Sequence, residues 1–289
     1  MSHRAFTLLE IIFVIILIGI LGSIGSEIIF KAYENYLISK NLSKVAFKLD
    51  VALLQIQRRL MHRVKFSEVV RDNNDNLDTL SRHSSSNFNH VEWIGEEYEA
   101  RRGEYNGSMY FPGWSGIADL NLSNKQKLVS PGSHLSYATN IIKRLHNKDL
   151  TKPHNGCAII FYNSYIGTPL SAFGWDGSDP NAAFTIHKDQ NHENIFLFDN
   201  QDKEKDASDI YTLTCSAYAL KHDENNNLVF YYDYRPWLHE TYHDGKHVIL
   251  VDHVSTFQIR RRSQAIEIRL CIDDNTTIPI EMCGKKVIF

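Results

Sequence analysis

Two apolar patterns follow one another at the start of the chain. From Phe6 to Ser26 nearly every position is apolar, and the single ionisable side chain is Glu10. About 20 such residues, rising 1.5 Å each, cover the roughly 30 Å hydrocarbon core of a bilayer, so the run predicts a membrane-spanning helix. A secretory signal peptide has a shorter apolar core and a small-residue cleavage site at its far end, and neither is clear here. From Lys31 to Met61 there is no Pro or Gly, and Leu42, Val45, Leu49, Leu53, Ile56 and Leu60 recur at three- and four-residue spacing. That is an amphipathic stripe, with Lys40, Lys44, Lys48, Asp50, Gln57 and Arg58 on the remaining faces. The expectation is one helix from Phe6 to about Arg63, roughly 85 Å long. Residues 6–29 form its transmembrane half, and residues 30–63 an amphipathic half that anchors a head made of residues 64–289.

The pattern weakens from Lys65 to Gly132. Asp72-Asn-Asn-Asp-Asn76 and Ser81 to Asn87 read as loops, with short strands at Val91 to Ile94 and Met109 to Phe111. A short amphipathic helix is predicted from Ser133, its cap, to Leu145, with Leu135, Ala138, Ile142 and Leu145 on one face. Strand-like runs then follow at Cys157 to Tyr162, Ala183 to Ile186, Asn194 to Phe198, Tyr211 to Leu220 and Leu228 to Tyr234. They continue at His247 to Val254, Thr256 to Arg261, Ala265 to Ile272 and Thr277 to Met282. Alternation is strict at Ile266, Ile268, Leu270 and Ile272, which predicts a sheet with one buried face turned to the helix stripe. Lys221 to Asn227 and Arg262-Ser-Gln264 read as hairpin connections. The fold class expected is α+β, a long helix on an antiparallel head.

Charge adds orientation. Arg4 precedes the apolar run and the bulk of the chain follows it, so the positive-inside rule places the first residues in the cytoplasm and everything beyond about Phe30 outside. The net charge of −3 among 289 residues gives no basic surplus for a dedicated nucleic-acid binder. In an oxidising exterior the four cysteines allow three fully paired connectivities. Cys271 and Cys283, close in sequence around a turn-rich segment, are the favoured disulfide. Cys157 and Cys215, each inside an apolar run, read otherwise as buried thiols.

Several patterns invite chemistry. His239-Glu-Thr-Tyr-His243 matches H-E-x-x-H, in which two His on one helix face bind zinc and the Glu is the general base. Pro236 before it and Asp244-Gly245 after it are turn chemistry instead, and Lys246 and Ile249 stand where the longer zinc signature requires Gly and His. With 14 His in the chain a chance match is ordinary. Gly113-Trp-Ser-Gly116 lacks the last Gly of a nucleophile elbow, which Ile117 replaces. Asp199, Asp202, Asp206 and Asp209, and separately Asp176 and Asp179, offer oxygen ligands for calcium without the spacing of an EF-hand loop. The aromatic run Phe230 to Trp237 suits stacking on a base or a sugar, and equally strand-core packing.

Glu10 asks for explanation, since a carboxylate inside a bilayer costs roughly 2.5–3.5 kcal/mol on insertion scales. It is either solvated among headgroups or paired by a group from another chain. Here the sequence carries a resemblance. A short basic leader ending in a small residue, then Phe6-Thr-Leu-Leu-Glu10 and a long apolar helix, resembles the class III signal of type IV pilins and type II secretion pseudopilins. The resemblance implies that a prepilin peptidase removes residues 1–5 by cutting between Ala5 and Phe6 and then methylates the Phe6 amine, leaving a net charge of −4 once Arg4 is gone. It also implies that Glu10 pairs with the N-terminal amine of a neighbouring subunit. Two positions depart from the family pattern: Ala5 stands where Gly is usual, and Glu27 where many members have a helix-bending Pro. Gly19, Gly22 and Gly25 offer looseness instead.

The segment from Tyr231 to Phe289 is similar, more loosely, to the C-terminal sheet of J-type or PilW-like minor pseudopilins, while the retained Glu10 differs from the K-type tip subunit. The implied protein is a non-enzymatic subunit that initiates or caps a filament for secretion, pilus extension or DNA uptake. It would sit in the bacterial inner membrane with its head in the periplasm or beyond. Its partners would be the peptidase, other subunits, an assembly platform and the lipid bilayer. Two other classes compete with it: a membrane-anchored zinc hydrolase using His239, Glu240 and His243, and an unprocessed single-span adhesin.

Overall fold

The computed structural model describes residues 8–72, 74–80, 88–105, 107–162, 168–200, 207–262, 265–274 and 280–289. One helix runs from Leu8 to Met61, 54 residues without a break. Its apolar side chains from Leu8 to Phe30 are all exposed. Gly19, Gly22 and Gly25 lie inside it with nothing near them for a Cβ to meet, so they do not serve close packing within this chain. Further along, Val45, Leu49, Ala52, Leu53, Ile56 and Leu60 are buried. Leu42, expected in the same stripe, is exposed, because the head begins one turn later at Val45.

The stripe packs on a three-stranded antiparallel sheet formed by Val254–Arg262, Ala265–Asp274 and Ile280–Ile288 in that order. Ile266, Ile268, Leu270 and Ile272 are fully buried and share one core with the stripe. Each such side chain contributes about 1.5–3 kcal/mol on burial. Gly284 is where helix and last strand come closest: a Cβ there would lie 2.5 Å from Leu53 Cδ1, so a side chain would push the two apart.

Beside it stands a six-stranded antiparallel sheet, in spatial order Lys246–Val251, Leu228–Tyr234, Ala217–His222, His90–Ile94, Val69–Arg71 and Leu77–Thr79. Val91, Trp93, Leu220, Leu228 and Phe230 from it complete the core around the helix. A second core forms under a five-stranded antiparallel sheet ordered Tyr211–Thr214, Ala158–Phe161, Ala183–Lys188, Ile195–Phe198 and Lys127–Val129. The short helix Leu135–His146 packs there through Leu135, Ala138 and Ile142, against Ile159, Phe161, Phe196 and Leu213. A third cluster, including Ile94, Ala158, Ile160, Ala217, Tyr234 and Trp237, joins the two larger sheets.

Several elements differ from the sequence pattern for visible reasons. The run Tyr211 to Leu220 is two strands, not one: it pairs with Ala158–Phe161 up to Thr214 and with His90–Ile94 from Ala217, so it changes sheets at Cys215-Ser216. The run around Val251 to Val254 changes sheets too, at His253, whose φ of 56° turns the chain. Ser133 does not cap the short helix. Its hydroxyl accepts from the Ser115 N–H and pairs with Ser130 Oγ, while Glu193 takes the first amides, its carbonyl from Leu135 N–H and its carboxylate from Ser136 N–H. Leu145 is exposed, and His146 is buried at that end instead. Residues 65–132, weakly patterned, supply short strands and the one-turn helix Tyr98–Arg102. The Arg262-Ser-Gln264 connection joins two paired strands, although residues 263 and 264 lie outside the described residues.

Candidate functional site

Ala5 and Phe6 lie outside the described residues. Glu10 is in the first described turn of the long helix, among exposed Leu9, Ile11, Phe13 and Val14. The helix is apolar and long enough to cross a membrane, and none of its apolar window is buried within the chain. A lone helix in water would expose all of this surface at a cost set by its apolar area, so the segment requires lipid or other helices around it.

Sequence reasoning missed a second stripe on the head-bearing half. Phe47, Leu54 and Met61, seven residues apart, are exposed, as is Val51 between them. A heptad search in a second register finds them, but the buried stripe dominates the periodicity. The far end of the same helix is clamped by charge. Arg63, buried, ion-pairs through Nε with Glu68, and its Nη1 donates to the Leu60 carbonyl at 2.7 Å. Arg261 from the terminal sheet reaches the other oxygen of Glu68 at 3.1 Å. Such a carboxylate between two arginines ties helix to sheet, and no local pattern announces the whole cluster because Arg261 is 193 residues from Glu68 in sequence.

The H-E-x-x-H segment does not form the helix that its zinc chemistry needs. Pro236–Leu238 and Tyr242–Asp244 are separate 3-10 turns, and His239 between them has φ 62°. His239 Nε2 faces Asp179 at 3.5 Å, whereas the His243 ring lies tilted against Tyr242, centroids 4.0 Å apart, and lines a different depression. Glu240 is 2.9 Å from Arg235 Nη2, so the general base of the zinc reading is already held as an ion pair.

The acidic groups are similarly engaged. Asp199 is buried against His187 Nδ1 at 2.7 Å and accepts the His154 N–H, so it is no open loop ligand. Asp176 accepts from Ser178 within its own turn, while Asp202 and Asp206 lie outside the described residues. Among the described residues the one cluster of three metal-type side chains is Cys271, Glu281 and Cys283. Its two sulfurs are joined to each other, across directly opposed positions of the terminal sheet with Cα atoms 4.0 Å apart. Cys157 and Cys215 form a second disulfide, one step beyond the paired Ala158 and Thr214.

The aromatic run is mostly structural. Phe230 stacks between Tyr218 and Tyr232, and Arg59 of the long helix lies over its ring at 4.0 Å. Tyr234 donates to the buried Glu92 at 2.7 Å, and Trp237 donates to the Gly156 carbonyl at 3.0 Å. Burial raises the Glu92 carboxyl above its ordinary range, opposed by the charge and hydrogen bond of Arg71, whose Nε sits at 2.5 Å.

Comparisons with protein-family models, with curated proteins and with solved structures find no match to this chain.

Proposed function

We propose that this chain is a minor pilin or pseudopilin, a non-enzymatic subunit that initiates or caps a membrane-anchored filament. The observation that carries the reading is the single uninterrupted helix, apolar and uncovered in its first half and built into an antiparallel β head in its second. The exposed register of Phe47, Leu54 and Met61 continues the uncovered surface onto the head-bearing half, which suits lengthwise packing against helices of other subunits. Glu10 within the apolar run supplies the acid that an incoming N-terminal amine would neutralise. In this reading the leader 1–5 is removed by prepilin peptidase, and the inner-membrane assembly platform adds the subunit head outward.

The test is the intact mass of protein extracted from membranes of a host with prepilin peptidase, expected to correspond to a chain starting at N-methylated Phe6. Glu10→Ala is expected to remain inserted and cleaved but to drop out of co-purified filaments. A chain retaining Met1, or normal incorporation of the variant, overturns the reading.

A further inference from the structure

The face of the terminal sheet turned away from the long helix is banded. Ile266, Ile268, Leu270 and Ile272 face the helix, so alternation turns Arg269, Cys271 and Asp273 outward, and the register sets Lys285, Cys283 and Glu281 opposite them. The Cys271–Cys283 disulfide lies between a basic rung, Arg269 with Lys285, and an acidic one, Asp273 with Glu281. Arg269 is exposed, its Nη2 is 4.0 Å from Cys283 Sγ, and no carboxylate pairs with it among the described residues.

The two disulfides differ in what can reach them. Cys157 and Cys215 are both fully buried, and Cys271 is 1% exposed. Cys283 is exposed, on the edge strand Ile280–Ile288, with no strand beyond it among the described residues. Thiol–disulfide exchange requires the attacking sulfur to approach in line with the bond that breaks. On the side away from Cys271, that line opens over the free edge of the sheet and onto Cys283. On the side away from Cys283 it meets the strand Val254–Arg262, whose Thr256 is paired with Cys271. Of the four cysteine sulfurs, that of Cys283 alone is open to an incoming thiolate.

We propose that Cys283 is a thiol–disulfide exchange site for a protein dithiol of the CXXC type. One thiolate of the dithiol attacks Cys283 Sγ; an intermolecular disulfide forms as the Cys271–Cys283 bond breaks, and its electron pair leaves on Cys271 Sγ. The second thiolate of the dithiol then attacks its own partner sulfur in the mixed disulfide and frees Cys283. Two electrons pass to the cysteine pair, which takes up two protons, and the dithiol departs as a disulfide. A monothiol stops at the mixed disulfide, because Cys271 stays beside Cys283 and expels it again. The negative charge shared by the three aligned sulfurs is stabilised by the Arg269 guanidinium, with Lys285 next to it. Glu281 opposes this from the other rung, one of its oxygens accepting from the Ser255 hydroxyl at 2.6 Å. Opening the pair unties the strand on which Gly284 meets Leu53 of the long helix.

The full chain in lipid nanodiscs should be incubated with a reduced CXXC protein, quenched with an alkylating agent at successive times, and its cysteine peptides mapped by mass. Cys271 and Cys283 are expected to be labelled at least about tenfold faster than Cys157 and Cys215, which react only when the head opens. Glutathione at equal thiol concentration should leave all four unlabelled over the same interval. A CXXC protein with its second Cys replaced by Ser should be trapped on Cys283. Arg269→Gln, at an exposed position, should slow labelling about threefold with an unchanged unfolding midpoint, which separates a built site from mere exposure. Equal rates at both disulfides, trapping on Cys271, net reduction by glutathione, or an unaltered rate in the folded Arg269 variant each overturns the assignment.

Discussion

The head repeats one construction twice with different helices. In one core a 54-residue helix lays a stripe of its second half on the terminal antiparallel sheet, with Cys271–Cys283 crossing that sheet. In the other a 12-residue helix lies on the five-stranded sheet, with Cys157–Cys215 at the end of its first strand pair. The long helix is secured at its end by arginines, Arg63 and Arg261 on Glu68; the short one by a histidine, His146 on Glu97 at 3.1 Å. Arginine stays charged at any physiological pH and histidine does not, so the ion pairs that secure the end of the long helix keep their cations through the range where the one on the short helix loses its own.

The largest effect should come from the arginine clamp. Glu68→Gln removes the carboxylate that the buried Arg63 guanidinium pairs with and takes one partner away from Arg261. A broken buried pair costs about 3–5 kcal/mol, so the head of this variant is expected to unfold at markedly lower denaturant, measured by tryptophan fluorescence of the full chain in nanodiscs. A midpoint equal to that of the parent chain would mean that the clamp holds nothing.

Leu53→Ala and Ile142→Ala test whether the two cores are separate units. Both side chains are within 2% of complete burial, and each truncation should cost about 2–5 kcal/mol. Hydrogen exchange separates them: Leu53→Ala should loosen residues 45–60 and 265–272, and Ile142→Ala residues 135–146 and 158–161. If either variant accelerates exchange in both regions equally, the third cluster joining the sheets makes the head one cooperative body and the comparison dissolves.

The two cores also differ in how far they could be read from sequence. The long helix, the strict alternation of Ile266 to Ile272 and the antiparallel α+β character all follow from local periodicity, which the backbone obeys wherever one face meets a continuous core. The outer core is less legible. Its helix cap is not local Ser133 but Glu193, and its helix ends on buried His146 instead of Leu145, because partners far along the chain override the nearest candidates. The sheet change at Cys215-Ser216 left no break in the apolar run, since both halves are buried, each in a different sheet. The depression that His243 lines is built by His90, Lys221, Tyr231 and Tyr242, from four segments with no shared motif, whereas the contiguous His239 to His243 match divides between two depressions. Contiguity made a pattern visible without making it a site.

The smallest effect expected is the pH response of the outer core. Burial alone would lower the His146 pKa, but the hydrogen bond and charge of Glu97 outweigh it, and the folded value is raised above the ordinary one. A group raised on folding stabilises fully below its unfolded pKa, near 6.5, and that contribution is lost as pH rises through the folded value. His90 has the opposite sign: its folded value is depressed, so its contribution is present above about 6.5 and is lost as pH falls through the folded value. In parent protein the two slopes oppose each other. His146→Gln removes only the first, so the variant's deficit in unfolding free energy should be largest below pH 6.5 and shrink as pH rises, while hydrogen exchange in residues 45–60 stays unchanged across the range. A deficit that is constant with pH would show that the imidazole serves the outer core by packing alone, and that the two clamps differ in chemistry without differing in consequence.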